Sequence, residues 1–379
     1  MTRKEKAGSS ISVGSRQIND RNHMKIINID SYFQPIRGYH FEDRLIRALG
    51  SSLILTTLRT EPEIIQACSG CEVVLLEHPY TPLSAAVING LNDCRLIVKY
   101  SVGLDNVDVS AATERGIIVC HAPYFCVEEV SDHAVALILC LARKVVQFND
   151  HVHRAGWAGL PLVPPLRRTR NRVLGLVGFG RIARLVAQKM SGFGMTILTH
   201  DPFIDEQTTK AHGAALVSME TLFAESDFIS VHTPLTKETR HLVGSRLLDL
   251  MKPTSFMVNT SRGPVIDEAA LIAALTDKRI AGAALDVAEV EPLPASSPLR
   301  TLNNVVLTPH CAANSADSLN DLRYTGAASI EAYCKGYWPE FPANPQVRPK
   351  HDLKPWADFA ATPDRLVRLD AAGQLVDPL

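Results

Sequence analysis

The chain has 379 residues, 46% of them hydrophobic and 21% charged. That is a globular composition in a chain too long for one core, so two domains are expected. Its 39 basic and 40 acidic residues nearly cancel, with no long block of either sign, which excludes the basic stripe of a nucleic-acid-binding surface.

The first 23 residues, MTRKEKAGSSISVGSRQINDRNH, are polar and lack the apolar core of a secretory signal. They predict a disordered leader over 1–23. The longest apolar stretch, Ala134 to Ala142, is far short of the roughly 20 residues that span a bilayer. No membrane partner is expected, and the predicted location is cytoplasmic. Eight scattered cysteines suit a reducing compartment. Cys68-Ser-Gly-Cys71 has redox-motif spacing but sits where a helix ends, so no helix N-terminus activates a thiol and a packing role is expected.

From Met24 the chain alternates β-rich runs (KIINI, SLILTT, EVVLLE, RLIVKY, GIIVC) with helical segments such as EPEIIQACS and PLSAAVINGLN. This alternation predicts a parallel sheet covered by helices. One long amphipathic helix is expected across VEEVSDHAVALILCLARKVVQFNDHVHRAG, with Val130, Ala134, Leu137, Ile138, Leu141 and Val145 at helical spacing. Its length suggests packing against another domain or subunit. A second alternation runs from VLGLVGF to VVLTPH. A last helix, about 316–333, could return the chain to the first domain. The Pro-rich stretch after Gly336 predicts a tail that wraps or moves.

Gly178-Phe-Gly180-Arg-Ile-Ala183 fits G-x-G-x-x-G/A between a strand and a helix. Glycines there allow a tight turn and close backbone approach, and the free N–H groups of the helix start suit a pyrophosphate. Asp201 ends the next strand, 23 residues after Gly178, and the following eight residues contain no Arg or Lys. An acidic group at that spacing accepts ribose hydroxyls and opposes a 2′-phosphate, so NAD is the expected cofactor rather than NADP.

Three polar clusters follow later strands: Asn259-Thr-Ser-Arg262-Gly263, Asp286 to Glu291-Pro, and Thr308-Pro-His310. Ligands in open α/β sheets bind at the carboxyl ends of strands, so these clusters are candidates for one site.

Taken together, VKYSVGLDNVD, FCVEEVSDHAVALIL, VGFGRIA, VHTPLTKETRHLV, VNTSRGPVIDEAAL, GAALDVAEVEP and LTPHCA resemble the NAD-dependent D-isomer-specific 2-hydroxyacid dehydrogenases. The resemblance covers about residues 24 to 345. It implies an α/β fold of two Rossmann-like, doubly wound parallel-sheet domains, one flavodoxin-like and one NAD-binding, with an active-site cleft between them. The implied division is a discontinuous substrate domain (24–122 and 311–345), an NAD domain (123–310) and an extension (346–379).

By that resemblance Arg262 orients the carboxylate and 2-oxygen of a 2-keto acid, His310 is the general acid/base, and Glu291 pairs with it. The other glutamate of the motif, Glu289, is expected to be solvated. Cofactor contacts are implied for Val102, Gly178, Gly180, Arg181, Ile182, Asp201, His232, Thr233, Pro234, Thr260, Ser261, Asp286, His310, Ala312 and Ala313. Substrate contacts are implied for His78, Tyr100, Ser101, Val102, Gly103 and Arg262. Many relatives carry Gly where this chain has Ser101, so its hydroxyl could help shape the pocket. No metal is expected. A homodimer through the 124–154 region follows from the family habit.

The predicted function is hydride transfer between NAD(H) and a 2-keto/D-2-hydroxy acid pair. Formate dehydrogenases resemble this family but have Gln where Glu291 stands. An NAD(H)-sensing binding protein like the C-terminal-binding-protein corepressors keeps the same Arg, Glu and His, and stays open as the alternative.

Overall fold

A computed structural model describes residues 23–31, 40–77, 81–157 and 166–376. Nearly all of the predicted leader therefore lies outside the described residues. The chain forms two compact units: Met1–Tyr100 with Asp108–Cys120 and Gly326–Leu379, and Ser101–Val107 with His121–Thr325.

The first unit holds a five-stranded sheet: β1 (Lys25–Asn28), β2 (Ser52–Leu55), β3 (Val73–Leu76), β4 (Leu96–Lys99) and β5 (Ile118–His121), in the order β2-β1-β3-β4-β5. The pairings β1–β2, β1–β3 and β3–β4 are parallel, with Ile27 opposite Ile54 and Val74. β3 is buried along its whole length, as expected of a strand covered on both faces. The helix Ala316–Cys334 carries Glu331, fully buried, whose carboxylate accepts N–H groups of Leu366 and Val367 at 2.7 and 2.9 Å. The tail is thereby tied down: it adds a helix, Trp356–Ala360, and buries Phe359 and Val367. Cys68 and Cys71 are buried just past the helix Glu61–Ala67, and burial pushes the Cys68 thiol up to about 12.

The second unit holds β6 (Val173–Val177), β7 (Thr196–His200), β8 (Ala214–Leu216), β9 (Phe228–Val231), β10 (Phe256–Asn259), β11 (Gly282–Leu285) and β12 (Val305–Leu307). Their order is β12-β11-β10-β9-β6-β7-β8, and every neighbouring pair is parallel. The order reverses beside β6, the place where doubly wound sheets open a ligand crevice. Apolar side chains of the strands and of the helices Val127–Arg143, Arg181–Ser191 and Glu268–Thr276 fill the two faces.

The long helix expected over 127–156 is two helices, Val127–Arg143 and Val145–Ala155, with Lys144 left-handed at φ 52°. The first buries Val130, Ala134, Leu137, Ile138 and Leu141, whereas no residue of the second is buried. Once the apolar face stops at Ala142, packing no longer keeps the chain in register, and Val145-Val146 add stiff β-branched side chains. Among the described residues, no helix is long and apolar enough to cross a membrane.

Candidate active site

β6 delivers Gly178 into a turn with φ 85°. A Cβ there would come within about 3.1 Å of the His232 carbonyl and Thr233 Oγ1, so only glycine fits without a shift. A Cβ on Gly180 would meet nothing within 4 Å, and no side chain caps the helix Arg181–Ser191 that Gly180 precedes. Open space in front of bare helical N–H groups is what a pyrophosphate requires.

Asp201, after β7, accepts the N–H of Phe179 at 2.8 Å and that of Phe203 at 2.9 Å. It thus braces the glycine turn, and a carboxylate with about four acceptor positions keeps room for ribose hydroxyls. Arg181 lies 4.2 Å over the ring of Tyr124 and donates to its hydroxyl at 2.8 Å. Ile182, Ala312 and Ala313 gather around Cys126 and Val130. His232 follows β9 beside Ser230 Oγ at 2.9 Å, and burial pushes its imidazole down to about 4, so it is neutral at pH 7. Thr233 donates to the Val177 carbonyl at 3.0 Å, which joins the two strand ends, and Pro234 is exposed.

At the end of β10, Asn259 builds the next turn. Its Oδ1 accepts the backbone N–H and the hydroxyl of Ser261, and its Nδ2 donates to the Arg262 carbonyl at 3.0 Å. Thr260 is buried, and its hydroxyl has no partner among the described residues. A buried hydroxyl in that state is suited to a bound group. Together with the open helix start and Asp201, it makes the residues present fit a dinucleotide.

Arg262 Nε donates to Asp105 Oδ1 at 3.0 Å and Nη1 to the Ser261 carbonyl at 2.9 Å. These bonds fix the plane of the guanidinium, and Nη2 lies against Gly103. A Cβ at Gly103 would overlap Nη2 and crowd Asp105 Oδ1, so a side chain there would push the guanidinium from this position. Ser101 donates its hydroxyl to the Gly103 carbonyl at 2.8 Å. Val102 is partly exposed, and its carbonyl is 2.9 Å from His121 Nδ1. Tyr100 belongs to the first unit, where it is buried with its ring against Gly326. His78 lies outside the described residues.

His310 follows β12, and Glu291 lies in the loop after β11. His310 Nδ1 is 2.7 Å from Glu291 Oε2, while Glu291 Oε1 accepts the Ala288 N–H at 2.9 Å. An ionised carboxylate only accepts, so the imidazole proton on this side sits on Nδ1 and Nε2 is left for exchange. Asp286, almost fully buried, accepts the Thr308 hydroxyl at 2.6 Å and the N–H groups of Cys311 and Ala312, both at 3.0 Å. Glu289, expected to be solvated, instead lies 2.7 Å from His241 Nε2, and its backbone N–H donates to Glu268 at 2.9 Å. The nearby Gly263 lets that loop approach, because a Cβ would overlap the Ala288 carbonyl.

The sequence reading missed Asp105, Tyr124 and Asn259 as supporting residues. Asp105 and Asn259 stand inside quoted motifs, but nothing local marks which side chain each one serves.

The family description for the NAD binding domain of D-isomer specific 2-hydroxyacid dehydrogenases matches residues 135–312. Over 286 residues the chain is 40% identical to a glyoxylate reductase of Korarchaeum cryptofilum, covering 75% of this chain and 86% of that protein. The chain belongs to the D-isomer-specific 2-hydroxyacid dehydrogenases. This dehydrogenase is also 35% identical to a D-3-phosphoglycerate dehydrogenase of Archaeoglobus fulgidus, over 77% of its own length and 55% of the relative's. Among solved structures, a D-lactate dehydrogenase from Aquifex aeolicus complexed with NAD and lactic acid is similar. The TM-score is 0.72 at 28% identity, covering 82% of this chain and 96% of that one. The dehydrogenase is an NAD-dependent enzyme that transfers a hydride between the cofactor and a 2-keto/2-hydroxy acid pair.

Proposed function

We propose that Arg262, His310 and Glu291 carry this reaction on a small 2-keto acid of the glyoxylate class. The observation that carries the reading is the 2.7 Å contact between His310 and Glu291, beside a turn that presents a fixed guanidinium. NAD(H) supplies or accepts the hydride at the substrate's C2. Arg262 grips the carboxylate and 2-oxygen through Nη2 and fixes the plane of the substrate. Backbone N–H groups of Ser101, Val102 and Gly103 bind the same carboxylate. His310 gives the proton on Nε2 to the 2-oxygen in reduction and takes it back in oxidation. Glu291 holds the ring and offsets its positive charge.

Gly178, Gly180, Arg181 and Ile182 would hold the pyrophosphate, and Asp201 the adenosine ribose. His232 to Pro234 would flank the cofactor, and Thr260, Ser261 and Asp286 would stand toward its nicotinamide with Val102, Ala312 and Ala313. His78 and Tyr100 line the substrate side. The first unit is the substrate domain and the second the dinucleotide domain. The glyoxylate reductases among the relatives support a small substrate, and the sensing alternative has no comparable support.

The helix Val145–Ala155 exposes Val145, Val146 and Val152, and Trp157 beyond it is 95% exposed. Such a patch supports a homodimer through this region, which sedimentation velocity tests. A cytoplasmic enzyme is the reading for location.

NADH oxidation with glyoxylate, hydroxypyruvate, pyruvate and bulkier 2-keto acids tests the substrate class. Faster turnover of bulky acids than of glyoxylate would overturn it. His310→Ala is expected to abolish most turnover while NADH affinity stays nearly unchanged. Wild-type turnover in that variant would refute the acid/base assignment.

A further inference from the structure

His133 stands on the helix Val127–Arg143 among residues that pack the core, yet its ring is only partly buried. Its Nε2 lies 3.0 Å from Thr308 Oγ1 and 3.6 Å from Asp286 Oδ1. Thr308 has one hydroxyl proton, and the 2.6 Å bond to Asp286 Oδ1 uses it. Toward His133, Thr308 can therefore only accept, which places a proton on His133 Nε2. A directed chain results: His133 N–H to Thr308 O–H to the Asp286 carboxylate.

That carboxylate also receives the N–H groups of Cys311 and Ala312, and the Asp286 carbonyl receives the His310 N–H at 2.7 Å. His310 itself is left-handed, with φ 51°, a conformation that a residue with a Cβ does not hold by its own preference. The bonds that fix its backbone and both flanks converge on Asp286.

We infer that His133 is a positioning residue for His310, acting through Thr308 and Asp286. It keeps the Thr308 hydroxyl aimed at Asp286, and so keeps the loop that carries His310 in its left-handed turn. The inference rests on His310 being the acid/base group.

The test uses the full chain with NADH and glyoxylate, in the variants His133→Ala, His133→Gln, Thr308→Val and the double variant His133→Ala/Thr308→Val, with His310→Ala as reference. His133→Ala and Thr308→Val are each expected to lower kcat about ten-fold, the order of one hydrogen bond to a charged group. NADH affinity, read by fluorescence titration, should fall by much less than kcat, since of the cofactor contacts only Asp286, Ala312 and Ala313 stand at this loop while the glycine turn and Asp201 are untouched. His133→Gln, whose amide can still donate to Thr308, should recover most of the rate. The double variant should be no slower than either single one, because both cut the same chain.

Wild-type kcat in His133→Ala, losses that multiply in the double variant, or a His133→Gln as slow as His133→Ala would each overturn the link. If His133→Ala does not fold, the rates of His133→Gln and Thr308→Val decide: a fast His133→Gln with a slow Thr308→Val supports the chain, and any other pattern refutes it. Full activity in His310→Ala would instead sink the acid/base reading on which the link rests.

Discussion

His310 Nδ1 and Glu291 Oε2 lie 2.7 Å apart, joining the loops that follow two neighbouring strands of one sheet. Glu291 is anchored in turn by the Ala288 N–H at 2.9 Å, so the carboxylate that meets the imidazole is held at its other oxygen as well. Glu291→Gln keeps the shape but removes the charge. A hydrogen bond between charged partners is worth about 1.5–3 kcal/mol, so reduction should slow by roughly ten- to a hundred-fold. Steady-state rates measure this, with NADH affinity as the control. An unchanged kcat would show that the carboxylate is not part of the proton transfer.

Asp105 fixes Arg262 from 157 residues away in the chain. Arg262→Lys replaces a forked donor by a point charge and should raise the KM for 2-keto acid by about two orders of magnitude, given the few kcal/mol that a bidentate pair carries. Asp105→Ala leaves the guanidinium charge but not its aim, and should raise KM by about ten-fold. Asp105→Asn keeps an acceptor oxygen and should fall between Asp105→Ala and wild type. Equal KM values for Asp105→Ala and wild type would mean that Arg262 is held by its own turn alone.

Gly178→Ala puts a methyl group against the His232 carbonyl in a backbone conformation with φ 85°. The strain should cost about 1–3 kcal/mol and shift the turn that is proposed to hold the pyrophosphate. Thermal unfolding should shift down and NADH should bind more weakly. Neither change appearing would mean the turn relaxes freely.

His232 is expected to make the fold acid-sensitive. Burial holds its folded-state pKa at about 4, against 6.5 ordinarily. Between those values the unfolded imidazole takes up a proton and the folded one does not, so this contribution is complete above pH 6.5 and is lost as the pH falls toward 4. His232→Gln should flatten the pH dependence of the urea midpoint in that window by up to about one proton's worth. Parallel slopes for the two proteins would assign the acid lability to other groups.

Most of the second unit was legible in the residues alone. VLGLV, TILTH and FISV are short runs rich in β-branched and apolar residues, and each forms the expected strand. Gly178 and Asp201 could be placed for the same reason: a turn and the strand that follows it lie close together in the chain. The helix break at Lys144 escaped, because apolar periodicity continues into Val145 although the surface it would pack on does not.

The polar pairings were legible only in part. His310 with Glu291 came from resemblance, not from spacing. Glu289 with His241, Arg262 with Asp105, and His133 with Thr308 span 48, 157 and 175 residues, and none leaves a mark in its own neighbourhood. Burial periodicity and backbone tolerance are properties of a few consecutive residues, so they are written locally. A hydrogen bond between distant side chains exists only after sheet order and strand register have set which loop ends stand side by side. The chain's local pattern is enough to build the strands and the glycine turn; folding the sheet decides which acceptor reaches His310.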